Sequence, residues 1–290
     1  MKRIIIGLCA ATGIAACGGG PAPFGEEEGD ADDSTNSSFL TEENPDLTAN
    51  NISYDEASDT LTINNIPFDD PENAYERITT ENFSNGFDAY QSAPAPGSNE
   101  FQYFAVFRRS DSGNSQVAAA GSDEFISFGF GGAGAQRLTG QPNLPTSGIY
   151  SYNGEYAAVR TTRAPDGVGN GIQYVTGDVE MTADFGDFDE IGAVGGVITN
   201  RELYNTAGQF IGGLDGFISL ANGAIDFETS RILSSTAVEI RGGDQTASGN
   251  WNGVFAGPGG NEIAGIVFVE GSDIRETGGV VTTCSGAVCP

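Results

Sequence analysis

The chain alternates between apolar and polar residues with a period of two. Asp178-Val-Glu-Met-Thr-Ala-Asp-Phe185 sets Val179, Met181, Ala183 and Phe185 on one side and Asp178, Glu180, Thr182 and Asp184 on the other. That pattern predicts a strand with one buried and one solvated face. Short runs of similar character recur at 52–54, 61–63, 125–128, 191–199, 214–220, 224–227, 237–241, 251–256 and 280–283. Clusters of Gly, Asn, Asp and Pro separate them, and only 74–80 has the spacing of a short helix. Many short strands joined by Gly-rich turns predict a mainly all-β fold, either a closed antiparallel barrel or a sandwich. Two runs are apolar on both faces. One, 101–107, predicts a central strand; the other, 263–269, sets Ile263, Gly265, Val267 and Val269 against Ala264, Ile266 and Phe268. Its second face is expected to pack against an earlier part of the chain.

The punctuation divides the chain into five segments. Residues 1–16 carry Lys2 and Arg3 followed by an apolar run, too few residues to cross a bilayer of about 30 Å, and predict a signal peptide. Residues 17–38 contain Glu26-Glu27-Glu28 and further Asp, Ser and Asn, a composition that predicts a disordered acidic tether. Residues 39–140 are expected to form a small β-rich domain, Pro142 and Pro145 mark a boundary, and 145–284 hold most of the strands. A short tail, 285–290, follows.

The most informative stretch lies near the end. Two apolar runs flank Gly257-Pro258-Gly259-Gly260-Asn261, which predicts a hairpin, with Trp251 and Phe255 on one face and Gly253 leaving room between them. Gly249, Trp251, Gly253, Phe255, Gly257, Pro258, Glu262 and Gly265 resemble the last hairpin of the C-terminal barrel in the transferrin-binding protein B-like family of bacterial surface lipoproteins. Gly148, Tyr152 and Gly154 likewise resemble that family's first barrel strand. The resemblance implies an eight-stranded antiparallel β-barrel over 145–284, a handle-like domain before it, and a non-enzymatic binding module for a protein or nutrient ligand. Iron capture is what the best-known relatives do, but the loops that contact transferrin have no counterpart recognisable in this sequence.

Ile14-Ala15-Ala16-Cys17 resembles the lipobox of bacterial lipoproteins, which implies cleavage before Cys17 and lipid on its thiol. Several acyl chains make a stable anchor, and Gly18 in place of Asp favours the outer membrane, with cell-surface display expected. With Cys9 removed and Cys17 lipidated, Cys284 and Cys289 remain as a pair for a disulfide in an oxidising compartment.

Charge narrows the partners. With 12 basic and 40 acidic residues the chain carries −28, and loss of Lys2 and Arg3 leaves about −30. Such a surface repels phosphate backbones, which argues against nucleic acid; membrane contact is expected through the lipid alone.

There is no His, which removes His-dependent triads and His-ligated zinc. Gly129-Phe-Gly131-Gly-Ala-Gly134 has nucleotide-loop spacing, but Pro142 leaves no room for the helix that such a loop needs. Asp184, Asp187, Asp189 and Glu190 have oxygen density without the spacing of a calcium loop. No cofactor or metal is predicted. Arg160 and Arg163 stand out on so acidic a chain, either to pin an acidic partner or to pair with neighbouring carboxylates. Tyr150, Tyr152 and Tyr156 share one face, for recognition or for the core. A periplasm-facing structural lipoprotein is the alternative reading; a glycan hydrolase is a further one, since 40 acids always furnish carboxylate pairs.

Overall fold

The computed structural model describes residues 36–39, 47–69, 74–78, 83, 85–124, 128–163, 170–186 and 192–290. The expected signal peptide, Cys17 and almost all of the tether lie outside them. Among the described residues the regular structure is all β apart from one 3-10 turn.

Eight strands form the first sheet: β1 (Ser37–Phe39), β2 (Asn51–Asp55), β3 (Thr60–Asn64), β4 (Tyr75–Arg77), β5 (Asp88–Gln91), β6 (Phe104–Arg109), β7 (Ser115–Gly121) and β8 (Gly131–Arg137). They are ordered β1-β8-β7-β6-β5-β4-β3-β2, an antiparallel meander whose far edge is closed by the first strand. The sheet is a curled half-barrel, its two ends drawn together where the Thr48 amide donates to the Gly131 carbonyl at 3.1 Å. Ile52 lies opposite Ile63 and Tyr54 opposite Leu61 in the first hairpin. Ser37 and Ser38, assigned to the tether from composition, lie in β1. The helix expected at 74–80 is instead the strand β4 at its described start, because Tyr75 is drawn into the core while Glu76 and Arg77 stay outside. Residues 125–127 of the run at 125–128 are not among those described.

The remaining strands are β9 (Ile149–Arg163), β10 (Asn170–Asp184), β11 (Ala193–Tyr204), β12 (Phe210–Gly213), β13 (Phe217–Asp226), β14 (Arg231–Arg241), β15 (Asp244–Ala256), β16 (Glu262–Gly271) and β17 (Ile274–Cys284). All but β12 are staves of an eight-stranded closed barrel: each pairs antiparallel with its neighbour, and β9 completes the circle by pairing with both β10 and β17. Closure removes the exposed edges that a nine-strand sheet would present. The staves run 10–15 residues, longer than the apolar runs that announced them.

The barrel interior is filled by its own side chains. Tyr152, Tyr156, Met181, Phe185, Trp251 and Phe255 are buried together with Val, Ile and Ala from every stave. Trp251 donates its indole N–H to the Ala221 carbonyl at 2.8 Å, which satisfies the polar atom that burial would otherwise orphan. Two residues on, Gly253 faces Gly265 in the β15–β16 register; a Cβ on Gly253 would sit 2.7 Å from the Ala264 carbonyl, so the close approach of the two strands needs glycine.

The outer face of β16 is equally buried. Ala264, Ile266 and Phe268 pack with Val117, Ala119, Ala133 and Ala135 of the first sheet, along with Ala157, Val159 and Val281 of the barrel. The two sheets are thereby joined through an apolar layer, as the double-faced pattern of 263–269 predicted. The other side of the half-barrel encloses a third cluster built on Tyr75, Tyr90, Tyr103 and Phe107. On β10 the outward side chains Asp178, Glu180 and Thr182 are exposed, the reverse of the apolar band that a membrane-spanning barrel carries outside.

Trp251→Ala removes the largest interior side chain and leaves a cavity no neighbour can fill. The expected loss is about 3–5 kcal/mol of folding stability, read by urea unfolding followed by far-ultraviolet circular dichroism.

Candidate interaction site

The terminal hairpin motif is a structural element. Gly249, Trp251, Gly253 and Phe255 lie on β15, and Gly257, with φ 70°, starts the 3-10 turn Pro258–Gly260 that reverses the chain. Phe255 meets Phe185 at 5.3 Å and Tyr152 at 6.3 Å between ring centres. Gly265 lies on β16, and Glu262 at its start is buried against the first sheet. There its carboxylate accepts hydrogen bonds from Ser112 Oγ, from Asn114 Nδ2 at 2.9 Å and from Ser115 Oγ at 3.2 Å. The motif therefore fixes both the barrel turn and the docking of the first sheet upon it. Cys284 and Cys289 form a disulfide with Cα atoms 5.8 Å apart, closing the tail on the end of β17.

Towards the other end of the barrel lies a group that the apolar pattern concealed. Arg160 stands four residues after Tyr156 on β9, on the same inward face, and opposite Glu276 in the β17 register. Arg201 reaches the interior because β11 carries an extra residue relative to β10, where Thr176 pairs with Glu202 but Asp178 with Thr199. Asn200 takes φ 50° at this bulge, and the insertion switches the next side chain inward. Glu239 of β14 and Thr246 of β15 complete the ring.

These groups satisfy one another closely. Arg160 donates to Glu276 Oε2 at 2.5 Å and to Glu239 Oε1 at 3.1 Å. Arg201 donates to Glu239 Oε1 at 2.8 Å and to both oxygens of Glu276 at 2.6 Å. The Tyr156 hydroxyl gives Glu276 a further bond at 2.8 Å, and the Thr246 hydroxyl gives Glu239 one at 2.6 Å. Two positive and two negative charges cancel inside the barrel, which is how buried charge becomes tolerable. Burial pushes the Glu239 carboxyl up, but the Thr246 hydrogen bond and the two guanidinium groups outweigh it and hold it at about 2. Burial likewise opposes ionisation of Glu276, yet Arg201 and Arg160 keep its carboxyl below the usual range. The Tyr156 hydroxyl is raised by burial and by Glu276. Glu239 and Glu276 are thus held as carboxylates and Tyr156 as the neutral phenol.

Two expectations are resolved by this geometry. Arg160 pairs with carboxylates of its own barrel rather than with a partner, and the Arg163 guanidinium lies 4.6 Å from the Phe128 ring. Tyr152 and Tyr156 are core residues bonded to the Gly260 carbonyl and to Glu276, so they offer no recognition face. Gly131–Gly134 fall within strand β8 and no helix follows. Asp187, Asp189 and Glu190 lie outside the described residues. Among the described residues no group of three or more acidic or Cys side chains is arranged to hold a metal.

Two outer features remain. A cleft of about 390 Å³ lies where the β6–β7 turn meets β9, β16 and β17, lined by Asp111, Ser112, Asn153, Glu155, Asn261 and Thr283 among others; Arg108 pairs with Glu155 at its wall. The second feature is the β11–β12 hairpin. Strand β12 pairs with Glu202, Leu203 and Tyr204, the part of β11 that lies beyond its last pair with β13, Ile198 with Ile218. The Phe210 ring rests 5.7 Å from Tyr204, which in turn stacks at 4.8 Å on Phe83 of the first unit.

No protein-family model matches the chain, and no curated protein matches it in sequence. Solved structures similar to it include a double mutant of transferrin-binding protein B from Haemophilus parasuis Hp5, at 12% identity and a TM-score of 0.45, covering 87% of this chain and 46% of that one. A structure described as a surface lipoprotein matches at 12% identity and TM-score 0.37, over 62% of this chain and 80% of its own. The haemoglobin receptor HpuA from Kingella denitrificans matches at 12% identity and TM-score 0.32, over 76% and 94% respectively. The likeness is one of fold. The chain spans about half the length of the transferrin-binding protein B structure it matches.

The ionic ring makes stability depend on acid. A carboxyl held below its unfolded value of 4.5 contributes stability that is fully present above that pH and fades as pH falls towards about 2. Glu276→Gln leaves a guanidinium charge uncompensated in the interior, and the expected loss is about 3–5 kcal/mol. Acid titration by near-ultraviolet circular dichroism, with Glu239→Gln beside the parent, checks the first point through a flatter profile between pH 4.5 and 2; urea unfolding of Glu276→Gln checks the second.

Proposed function

We propose that the mature chain is a non-catalytic lipoprotein of the outer membrane, anchored by lipid on Cys17, displayed at the cell surface, and binding a protein or nutrient ligand through its outer surface. The observation that carries this reading is the filled interior. Aromatic side chains and a charge-neutral ring occupy the barrel from within, so contact with a ligand falls to the loops, the junction cleft and the β11–β12 hairpin. The lipobox-like Ile14-Ala15-Ala16-Cys17 supports the anchor. A protein ligand also accords with the names of two similar structures, which speak of transferrin and haemoglobin; neither is assigned to this chain.

The carboxylates speak against the hydrolase alternative. A glycosidase needs a general acid whose pKa is raised beside a second free carboxylate. The three fully buried carboxylates among the described residues, Glu239, Glu262 and Glu276, are each held by several donors, and two of them are lowered. Asp123, which burial raises, stands on the connection after β7. The periplasm-facing alternative differs only in address.

Protease treatment of intact cells tests that address. The expected result is loss of the full-length chain from shaved intact cells and its retention in untreated controls, with Cys17→Ser released from the membrane fraction. Full protection of the chain in intact cells, with digestion only after the outer membrane is opened, supports the periplasm-facing alternative instead.

A further inference from the structure

The open edge of β12 points to a docking site for an extended, basic segment of a partner protein, which we infer pairs with Phe210–Gly213 as an added strand. This rests on the binding-module reading and names the surface and the chemistry that such a module would use.

Four observations carry it. First, β12 hydrogen-bonds to β11 along one side, and β14 turns back at Gly242 and Gly243 before reaching it, so among the described residues its other side meets no strand. The Leu214 amide donates to the Arg201 carbonyl of β11 at 2.7 Å; by alternation along the strand, the N–H and C=O of Gly213 point the opposite way, to the open side. Second, the edge is short, four residues, and bulged opposite Leu203 and Tyr204, but its side chains carry no protection. Natural edges are blunted by Lys, Pro or inward charge, whereas this one presents Phe210 at 57% exposure and Ile211 at 52%, with Phe217 at 38% just beyond.

Third, Gly212 and Gly213 have no intramolecular reason to be glycine. Neither has a positive φ, and a Cβ on either would meet nothing within 4 Å. Glycine inside a strand weakens it unless another backbone approaches closely, and among the described residues none comes within 4 Å of a Cβ at either position. Fourth, charge selects the occupant. A second copy of the chain would bring −28 against −28, and at the strand itself Glu202 lies opposite Gly213 and Asp215 follows it, against Arg241 beside Gly216, so self-pairing is opposed and a segment rich in Lys or Arg is favoured. Main-chain bonds would give such a partner its affinity, and Phe210 with Ile211 would receive its alternate apolar side chains.

The test uses the mature chain and three synthetic peptides: alternating Lys and Val, alternating Glu and Val, and the Lys–Val peptide with Pro in place of every second Val. Binding is followed by fluorescence anisotropy, and amide protection by hydrogen exchange. The expected result is binding of the Lys–Val peptide alone, slowed exchange at Gly213, and at least tenfold weaker binding to Gly213→Pro and to Phe210→Asp. Far-ultraviolet circular dichroism identifies any variant that fails to fold; the peptide series and the exchange readout on the parent chain decide the matter by themselves. Equal binding of the Pro-containing peptide would show charge attraction without pairing and overturn the inference, as would no binding, unchanged exchange at Gly213, or a dimer of the chain through β12. A partner recovered from native membranes equally well by parent and Gly213→Pro would overturn this site while leaving the binding-module reading intact.

Discussion

Strand β16 is the constraint on which the rest is built, because it is buried on both faces. Ile263, Val267 and Val269 line the barrel, while Ala264, Ile266 and Phe268 belong to the layer shared with the first sheet. Neither sheet can cover its own apolar surface without this strand. Burial of that kind stabilises by roughly 25 cal/mol per Å² of apolar area, and polar contacts then fix its orientation. Glu262, at the start of the strand, is held by two donors from the β6–β7 turn and one from the start of β7, and Arg275 of β17 reaches the Gly129 carbonyl at 2.9 Å. Apolar contact supplies the adhesion between the sheets and the buried carboxylate supplies the register.

Inside the barrel, two kinds of packing share the space. Towards the turn at Gly257, aromatic rings fill the section, with Phe255 in contact with both Tyr152 and Phe185. Towards the opposite end, the section is polar and charge-neutral. A ring of two Arg and two Glu contributes little net stability compared with apolar packing of the same volume, but each member demands partners in one arrangement. Five staves supply them, β9, β11, β14, β15 and β17, so the ring specifies which strands stand across from which. The bulge at Asn200 is the local distortion that this specification requires. A barrel closed in this manner leaves recognition to its exterior, and the β11–β12 hairpin grows from the same stave that carries Arg201.

Much of this was legible in the sequence, and the parts that were not have physical causes. The alternation at 178–185 placed Val179, Met181 and Ala183 inside and the acids outside, and the double-faced run at 263–269 announced the junction. The Gly257–Asn261 cluster gave the last turn. Strand lengths were underestimated where polar interior positions interrupt the staves: Arg160, Arg201 and Glu276 sit where an apolar residue continues the pattern. Arg160 was noticed and its partners left open, since two residues 116 apart in sequence cannot be seen to meet until closure brings β9 beside β17. Arg201 gave no signal at all, because the bulge that turns it inward breaks the period by which inward residues are recognised. The helix expected at 74–80 fell to the tertiary demand for Tyr75. Strand β12 was invisible for want of length, and only its two glycines and the neighbouring Phe210 and Ile211 set it apart.

The central claim is that β16 makes the two sheets one cooperative body around a filled barrel. Native-state hydrogen exchange across increasing urea measures this directly. The account predicts that amides of β7 and β8 in the first sheet and of β15, β16 and β17 in the barrel share one opening free energy and one denaturant dependence, merging at the global transition. A first sheet that opens fully at low urea while β16 keeps its protection would contradict it.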